Sequence, residues 1–494
     1  QSDKNTTIKE IIINSTIGVD TTEMLYQNNL LNSTKFIEQI NTFETIFIEI
    51  LYPSDSFEQI YSTITQMKRN WKNELSKLKI AIVFSEIEEV DEHFAGDQMI
   101  NLIRFEPSVK KIKNQAFLNC LNLFEIQFSP ELTEIGDYSF SQCSSLIELT
   151  IPSSVVYIGN NAFSQCSSLV HISIPSSVTT IGNNAFSGCL SLSQISIPSS
   201  ILSISNTSFP GCLSLQQVSI PTSVISIGNN AFSKCSALTQ VIIPSSVTSI
   251  EDYSFCGCSS LTKIVIPSSV TTIGEGTFFG CSSLKQVEIP DSIDSIGDCT
   301  FFGCSSLEIV EIPSSIVYIG KNAFNGCSMI KQIEIPDSVT TIGNTAFSGC
   351  SSLTRISIPS SVTSIGKNAF NGCSSLQEIE IDPTRTKVEK DTFNNCPTLT
   401  RLKLSTSKDS IEKFNSQGYS KIKEIIISSN ITNIGDNSFY EFSNIEEIKL
   451  PTSIKTIGNT SFAGCSSLTR LEIPSSVTSI GNKAFSSCSL LKQI

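Results

Sequence analysis

The stretch CSSLTKIVIPSSVTTIG, Cys258 to Gly274, decides the fold. Leu261, Ile264 and Ile266 alternate with Lys263 and Val265, so one face of a short strand is apolar and the other polar or exposed. Pro267 ends the strand, because it lacks the N–H that a ladder needs. Val270 and Ile273 turn inward again on a second, shorter extended segment. Gly274 is expected to supply a backbone geometry that most residues resist. Phe278 and Cys281 then close the coil, through a 3₁₀ or one-turn helical stretch.

Working outward, the same letters return every 23 residues. Cysteines stand at 120, 143, 166, 189 and on to Cys396 at that step; the phase then meets Tyr419 and Phe442 and returns to Cys465 and Cys488. Only Cys256 and Cys299 lie off this ladder. Phe follows the same step from Phe94 and Phe117 to Phe393, then at Phe439, Phe462 and Phe485, and proline recurs from Pro152 to Pro359. The residue after the second inward Ile is Gly at 136, 159 and 182, with Ser205, Glu251, Glu389 and Glu412 as departures. A fixed period of this length marks a solenoid, in which one coil cannot bury its apolar face alone and stacking makes the core.

The unit resembles the BspA-like, or Treponema pallidum-type, leucine-rich repeat. Its Leu-x-x-Ile-x-Ile-Pro, Val-x-x-Ile-Gly and Ala-Phe-x-Gly-Cys elements stand here as Leu353 to Pro359, Val362 to Gly366 and Ala369 to Cys373. The match runs from about residue 94 to the end, about four fifths of the chain. The resemblance implies an α/β-class leucine-rich-repeat solenoid. That is a right-handed superhelix of 23-residue coils with a parallel β-sheet on one face and short extended or 3₁₀ segments elsewhere. Such arrays are common on bacterial surfaces and in large protozoan surface-protein families, and some members are implicated in adhesion. The richness in Asn, Ile, Lys and Ser also fits an AT-rich protozoan genome.

Residues 1–93 lack the regular unit and are expected to form an N-terminal capping region. Ile8–Ile13, Phe43–Ile50 and Leu78–Phe84 are expected as strands, with helices over Thr21–Ile40 and Ser56–Leu75, continuing the same sheet in longer coils; a separate small α/β domain is the alternative. Residues 94–494 form the repeats, with a degenerate stretch at 382–442. There Lys408 to Asn415 is expected to make a helical turn, and the solenoid is expected to continue through it because the spacing survives. The first residue is Gln1 and no signal-peptide pattern stands there; the chain stops at Ile494 partway through a repeat, so the natural chain is expected to continue.

The balance of 33 Lys+Arg against 46 Asp+Glu, a net charge of −13, argues against nucleic acid as a partner, since phosphate recognition needs clustered cations. No run of 18 apolar residues exists, so no membrane insertion is expected within these residues. Two histidines, His93 and His171, leave little for a His-based metal site or a Ser-His-Asp triad. No metal or other cofactor is expected, and no catalytic residue is assigned. Gly274-Glu275-Gly276-Thr277-Phe278-Phe279-Gly280 lacks dinucleotide-fingerprint spacing, and no P-loop is present. The cysteine ladder is expected to be packing rather than disulfides, because stacked thiols point the same way.

Partners are expected on the outward positions of the main sheet. One column runs Gln127, Thr150, Ser173, Ser196, Ser219, Ile242, Val265, Glu288, Glu311, Glu334, Ser357, Glu380, Lys403, Ile426, Lys449 and Glu472. Glu288, Glu311, Glu334 and Glu380 make a candidate acidic surface for a basic partner, and Lys285 and Lys331 stand beside it. His171 lies in the neighbouring outward column, within a stretch from Thr150 to Ile250 whose only charged residue is Lys234. Such a hydroxyl-rich face suits glycans or protein backbone. N-glycosylation sequons stand at Asn5, Asn14, Asn32, Asn206, Asn430 and Asn459. The expectation is a non-enzymatic, adhesin-like recognition protein at a cell surface or secreted, binding host or matrix protein or glycan. The alternative is a cytoplasmic scaffold that docks proteins by the same face. Its oligomeric state is open.

Overall fold

The computed structural model describes residues 11–14, 46–52, 61–62, 78–382, 384–389, 391–406, 408–413, 419 and 421–492. These fall into two compact units, Gln1–Ala237 and Leu238–Ile494.

In the first unit, strands Ile46–Tyr52, Leu78–Phe84, Ile100–Phe105 and Glu125–Gln127 pair in parallel in that order. Ile11–Asn14 adds to the edge antiparallel, so the first strand runs against the rest rather than with them. The helices expected over 21–40 and 56–75 lie outside the described residues, apart from the helical pair Tyr61–Ser62. The three-residue strands that follow pair at a constant offset of 23, as His171–Ser173 does with Glu148–Thr150 and Gln194–Ser196 with Gln217–Ser219. A second ladder of two-residue strands runs from Glu89–Val90 through Lys111–Ile112, Glu134–Ile135 and Tyr157–Ile158 to Thr180–Ile181.

The second unit repeats this plan. Gln240–Ile242, Lys263–Val265, Gln286–Glu288 and Ile309–Glu311 are parallel neighbours. Arg355–Ser357 opens a second run through Glu378–Ile381, Arg401–Leu404, Glu424–Ile427, Glu447–Lys449 and Arg470–Leu471. Between these runs the coil of Gln332–Glu334 forms no ladder strand. The degenerate stretch keeps the offset of 23 and lengthens its strands to four residues. Lys408 to Lys413 form no helical turn: Ile411 keeps the inward phase, and Ser410–Ile411 enters the short ladder against Asn433–Ile434.

The core is the set of columns that the period predicts. In one coil Cys166, Leu169, Val178 and Phe186 are fully buried, with Ile172 and Ile181 nearly so. The phenylalanine rings stack coil on coil, with Phe117–Phe140 at 5.3 Å and Phe140–Phe163 at 5.5 Å between centroids, within 8° and 3° of parallel. Parallel rings at this spacing gain dispersion along the whole column. The closing segment is a run of turns rather than a helix. Ala162, Ser164 and Cys166 donate N–H bonds to the carbonyls of Gly159, Asn161 and Phe163, but Asn161 and Gln165 take positive φ of 55° and 62° and stop a helix from propagating. Helical geometry among the described residues is confined to Tyr61–Ser62, the 3₁₀ turn Glu92–Phe94 and Tyr419.

The repeat glycine is required for a different reason from the one expected. Gly274 does not sit in the left-handed region; a Cβ there would lie 2.4 Å from the Asp252 backbone N and Oδ1 of the preceding coil. At Gly274 close approach of two backbones, not φ, opposes a side chain, although Glu251 holds the same position in an unbroken ladder. The short ladder is interrupted between Thr180–Ile181 and Ser203–Ile204, and between Lys387–Val388 and Ser410–Ile411, where Ser205 and Glu412 replace the glycine. Ser205 Oγ then donates to Ile181 O at 2.6 Å, where other coils use the glycine N–H. The interruption between Thr272–Ile273 and Ser295–Ile296 occurs although Gly297 is present, with its nearest neighbour 3.4 Å from a built Cβ.

Candidate functional site

The main strands place every second side chain on the outer face. In His171–Ser173, Gln240–Ile242 and Lys263–Val265 the central residue is buried and both flanking residues are exposed. Glu288 and Glu311 are register partners, so their carboxylates project side by side. Glu334 follows in the next coil, outside the paired ladder. The ion pairs found among the described residues of the second unit leave these three out, and neither Lys285 nor Lys331 bridges to them.

Glu380 belongs to a different setting. Its Oε2 accepts from Lys403 Nζ at 2.9 Å, and Arg401 on the same strand lies 3.6 Å from both Glu378 and Glu424. Lys449 also meets Glu424, and Lys423 meets Glu446 at 2.8 Å. The outer face therefore divides into an unneutralised part, Glu288 to Glu334, and an internally paired part, Glu378 to Lys449. Ile242, Val265 and Ile309 add apolar exposure beside the first part, at 71%, 47% and 52%. His171 is exposed and is the register partner of Glu148.

A groove of about 540 Å³ lies on the first unit beside the main sheet. It is lined by the polar Lys79, Asn101, Asn122, Ser145, Ser168 and Ser191 and by the apolar Phe124, Ile147 and Val170. Its lining mixes hydrogen-bonding and apolar side chains.

The cysteine ladder is reduced throughout. Thiols along the ladder donate to the carbonyl of a phenylalanine one coil back, as Cys143 Sγ does to Phe117 O at 3.3 Å and Cys304 Sγ to Phe278 O at 3.2 Å. Burial pushes the Cys304 and Cys350 thiols up to about 12. Thiols raised in this way are packing groups rather than nucleophiles; Cys396 differs, because its hydrogen bond with Cys373 lowers its thiol pKa. Cys256 and Cys299, outside the ladder, are half-buried thiols.

The sequence reading missed an amide ladder beside the glycine column. Asn114, Asp137, Asn160, Asn344 and Asp436 each offer Oδ1 to a backbone N–H one coil on, at 2.6–2.8 Å. The signal was present, since Asn or Asp follows the glycine phase in these coils. Two sequons fall in this ladder: Asn206 Oδ1 accepts from Asn229 N and Asn459 Oδ1 from Asn482 N. Asn430 instead uses its Nδ2, which donates to Thr406 O at 2.5 Å. Asn5 and Asn32 lie outside the described residues, and Asn14 is described by its backbone alone.

Among the described residues no group of three or more His, Cys, Asp or Glu is placed to hold a metal ion, and no helix is long and apolar enough to cross a membrane.

With this geometry, the profile of the BspA type leucine rich repeat region (6 copies) matches residues 88–215, 202–330, 294–417 and 409–494. The chain belongs to the BspA-type leucine-rich repeat family. It is similar to a leucine-rich repeat protein from Bacteroides ovatus at 30% identity, over 70% of this chain and 86% of that one, with a TM-score of 0.46. A leucine-rich cell surface protein from Faecalibacterium prausnitzii is 24% identical over 74% and 92%, TM-score 0.40. The T. pallidum leucine-rich repeat protein is 28% identical over 40% and 85%, TM-score 0.32. No curated protein matches the chain. The BspA-type repeat accounts for the Leu, Ile, Pro, Gly, Phe and Cys columns; the outward residues are this chain's own.

Proposed function

We propose that this BspA-type protein is a non-enzymatic recognition solenoid, displayed at a cell surface or secreted, that binds a host or matrix protein through the outer face of its main strands. The observation carrying this reading is the row Glu288, Glu311 and Glu334, which stays free of ion pairs while the coils of Glu378 to Lys449 neutralise theirs internally. Unpaired carboxylates beside exposed Ile242, Val265 and Ile309 suit a basic, partly apolar protein surface. Affinity then comes from many modest contacts on a surface ordered before binding.

The test is binding of the 494-residue chain to matrix proteins and to a glycan array, with Glu288→Gln, Glu311→Gln and Glu334→Gln combined. The expected result is capture of a protein ligand that weakens with salt and weakens at least tenfold in the triple variant. Unchanged binding by the triple variant removes the acidic row from the site, and binding to glycans alone moves the reading to the groove of Phe124, Ile147 and Val170.

A further inference from the structure

Two independent patterns coincide in the first unit. From Thr150 to Ala237 the sole charged residue is Lys234, in a chain of net charge −13. Within those coils the position just before the short strand carries Val156, Thr179, Leu202 and Ile225 in four successive repeats. Val156, Leu202 and Ile225 are 46%, 63% and 52% exposed. Thr179 Oγ1 donates to Val156 O at 3.4 Å, which ties down its hydroxyl and leaves its methyl group for the stripe. In the coils before them this position holds Glu88, Lys110 and Thr133, and in the coils after them Thr248, Thr271, Asp294, Val317, Thr340 and Thr363, and then Thr, Asp or Lys, so adjacent aliphatics, Leu202 and Ile225, occur in the uncharged coils alone.

We propose that this stripe binds a second copy of the same chain. An acidic molecule repels its own copies wherever the facing surfaces carry charge, and an isologous contact sets each patch against itself. The uncharged coils are the part of the first unit where two copies meet without that repulsion, and there the exposed aliphatics stand. A basic partner has no carboxylate to recognise on this stripe, whereas an identical copy brings the same coil spacing, about 4.8 Å, and stays in step with it. Full overlap fixes the register. With a two-fold axis between the coils of Thr179 and Leu202, Val156 packs on the partner's Ile225 and Thr179 on the partner's Leu202.

The test is sedimentation velocity of the 494-residue chain over a concentration series, with circular dichroism to confirm that each variant is folded. The expected result is a reversible dimer of twice 53.7 kDa that tightens as salt rises from about 0.02 to 0.5 M, because screening removes the residual repulsion. Val156→Glu with Ile225→Glu places like charges across the axis and should weaken association at least tenfold. Val156→Lys with Ile225→Glu places opposite charges there and should bring low-salt association back to within about threefold of wild type. A wild-type monomer at 100 μM overturns the proposal, as does a double-glutamate variant that dimerises normally. Association that weakens with salt, or failure of the lysine–glutamate pair to restore it, overturns it as well.

Discussion

Replacing Gly366 by alanine tests why the repeat keeps its glycine. A Cβ at Gly366 would stand 2.4 Å from Asn344 N, 2.5 Å from Asn344 Oδ1 and 2.6 Å from Gly343 C. Two of these three are backbone atoms, so the coil itself must move. That movement strains the Gly366 N–H bond to Ile342 O at 2.8 Å and the Lys367 N–H bond to Asn344 Oδ1 at 2.8 Å. Overpacking of this kind costs about 1–3 kcal/mol. Each weakened hydrogen bond adds about 0.5–1.5 kcal/mol, so the total expected loss is about 3 kcal/mol. Gly297→Ala, in the same repeat position and the same unit, is the control. Its nearest contacts are 3.4 Å to Thr300 Oγ1 and 3.8 Å to Glu275, and it is expected to change stability by less than about 1 kcal/mol, with either sign. Urea unfolding of both variants, followed by circular dichroism, measures the difference. Equal losses at the two positions would refute close approach as the cause and return the explanation to backbone conformation.

Asn344→Ala removes the amide acceptor for Lys367 N and should cost about 1 kcal/mol, while Asn344→Asp should be tolerated, since Asp137 and Asp436 fill the same role; thermal unfolding distinguishes them. Raised thiol values make stability pH-dependent in the alkaline range. Cys304 and Cys350 release their protons near 9.0 when unfolded and near 12 when folded, so above pH 9 the unfolded chain holds fewer protons and stability falls as pH rises. Each of the two contributes about 1.4 kcal/mol per pH unit between those values, and a flat urea midpoint from pH 9 to 10.5 under reducing conditions would contradict this. Native alkylation read by mass spectrometry should label Cys256, Cys299 and Cys488 ahead of the buried ladder, and equal labelling of Cys304 and Cys350 would show that the coils open readily. Glu311→Gln should raise stability by about 0.2–1 kcal/mol at low salt, by relieving its register partner Glu288, and the gain should vanish in high salt.

How much was visible beforehand follows from what a period can encode. The inward letters Leu169, Ile172, Val178 and Phe186 were legible because burial forces the same residue type at the same phase in every coil. The parallel register followed from the uninterrupted step of 23. The antiparallel placement of Ile11–Asn14 was not legible, because strand direction at an edge depends on the connection and leaves no mark on the strand's own letters. The glycine column was seen but given the wrong cause, since a sequence cannot separate a positive φ from the approach of a neighbouring backbone. The candidate acidic row was read as four glutamates; pairing across coils divides it, because Lys403 lies one coil beyond Glu380 in the same outward column while serine follows Glu334. The expected helical turn at Lys408 failed for a related reason. Local propensity favoured it, but Ile411 kept the inward phase, and ladder pairing with Asn433–Ile434 took the backbone.

The constant offset of 23 has an evolutionary consequence. Each coil presents to the next the surface that it receives from the one before, so excising or duplicating one whole period within a unit leaves matched surfaces at the join. Loss of part of a period leaves one coil whose inward letters fall out of phase with both neighbours; at the start of the repeats a shorter step is taken, where Glu89–Val90 pairs with Lys111–Ile112 at an offset of 22. Length in this protein is thus a quantised variable, which unequal recombination between near-identical repeats can change in steps while outward letters such as Glu288 and Leu202 diverge freely.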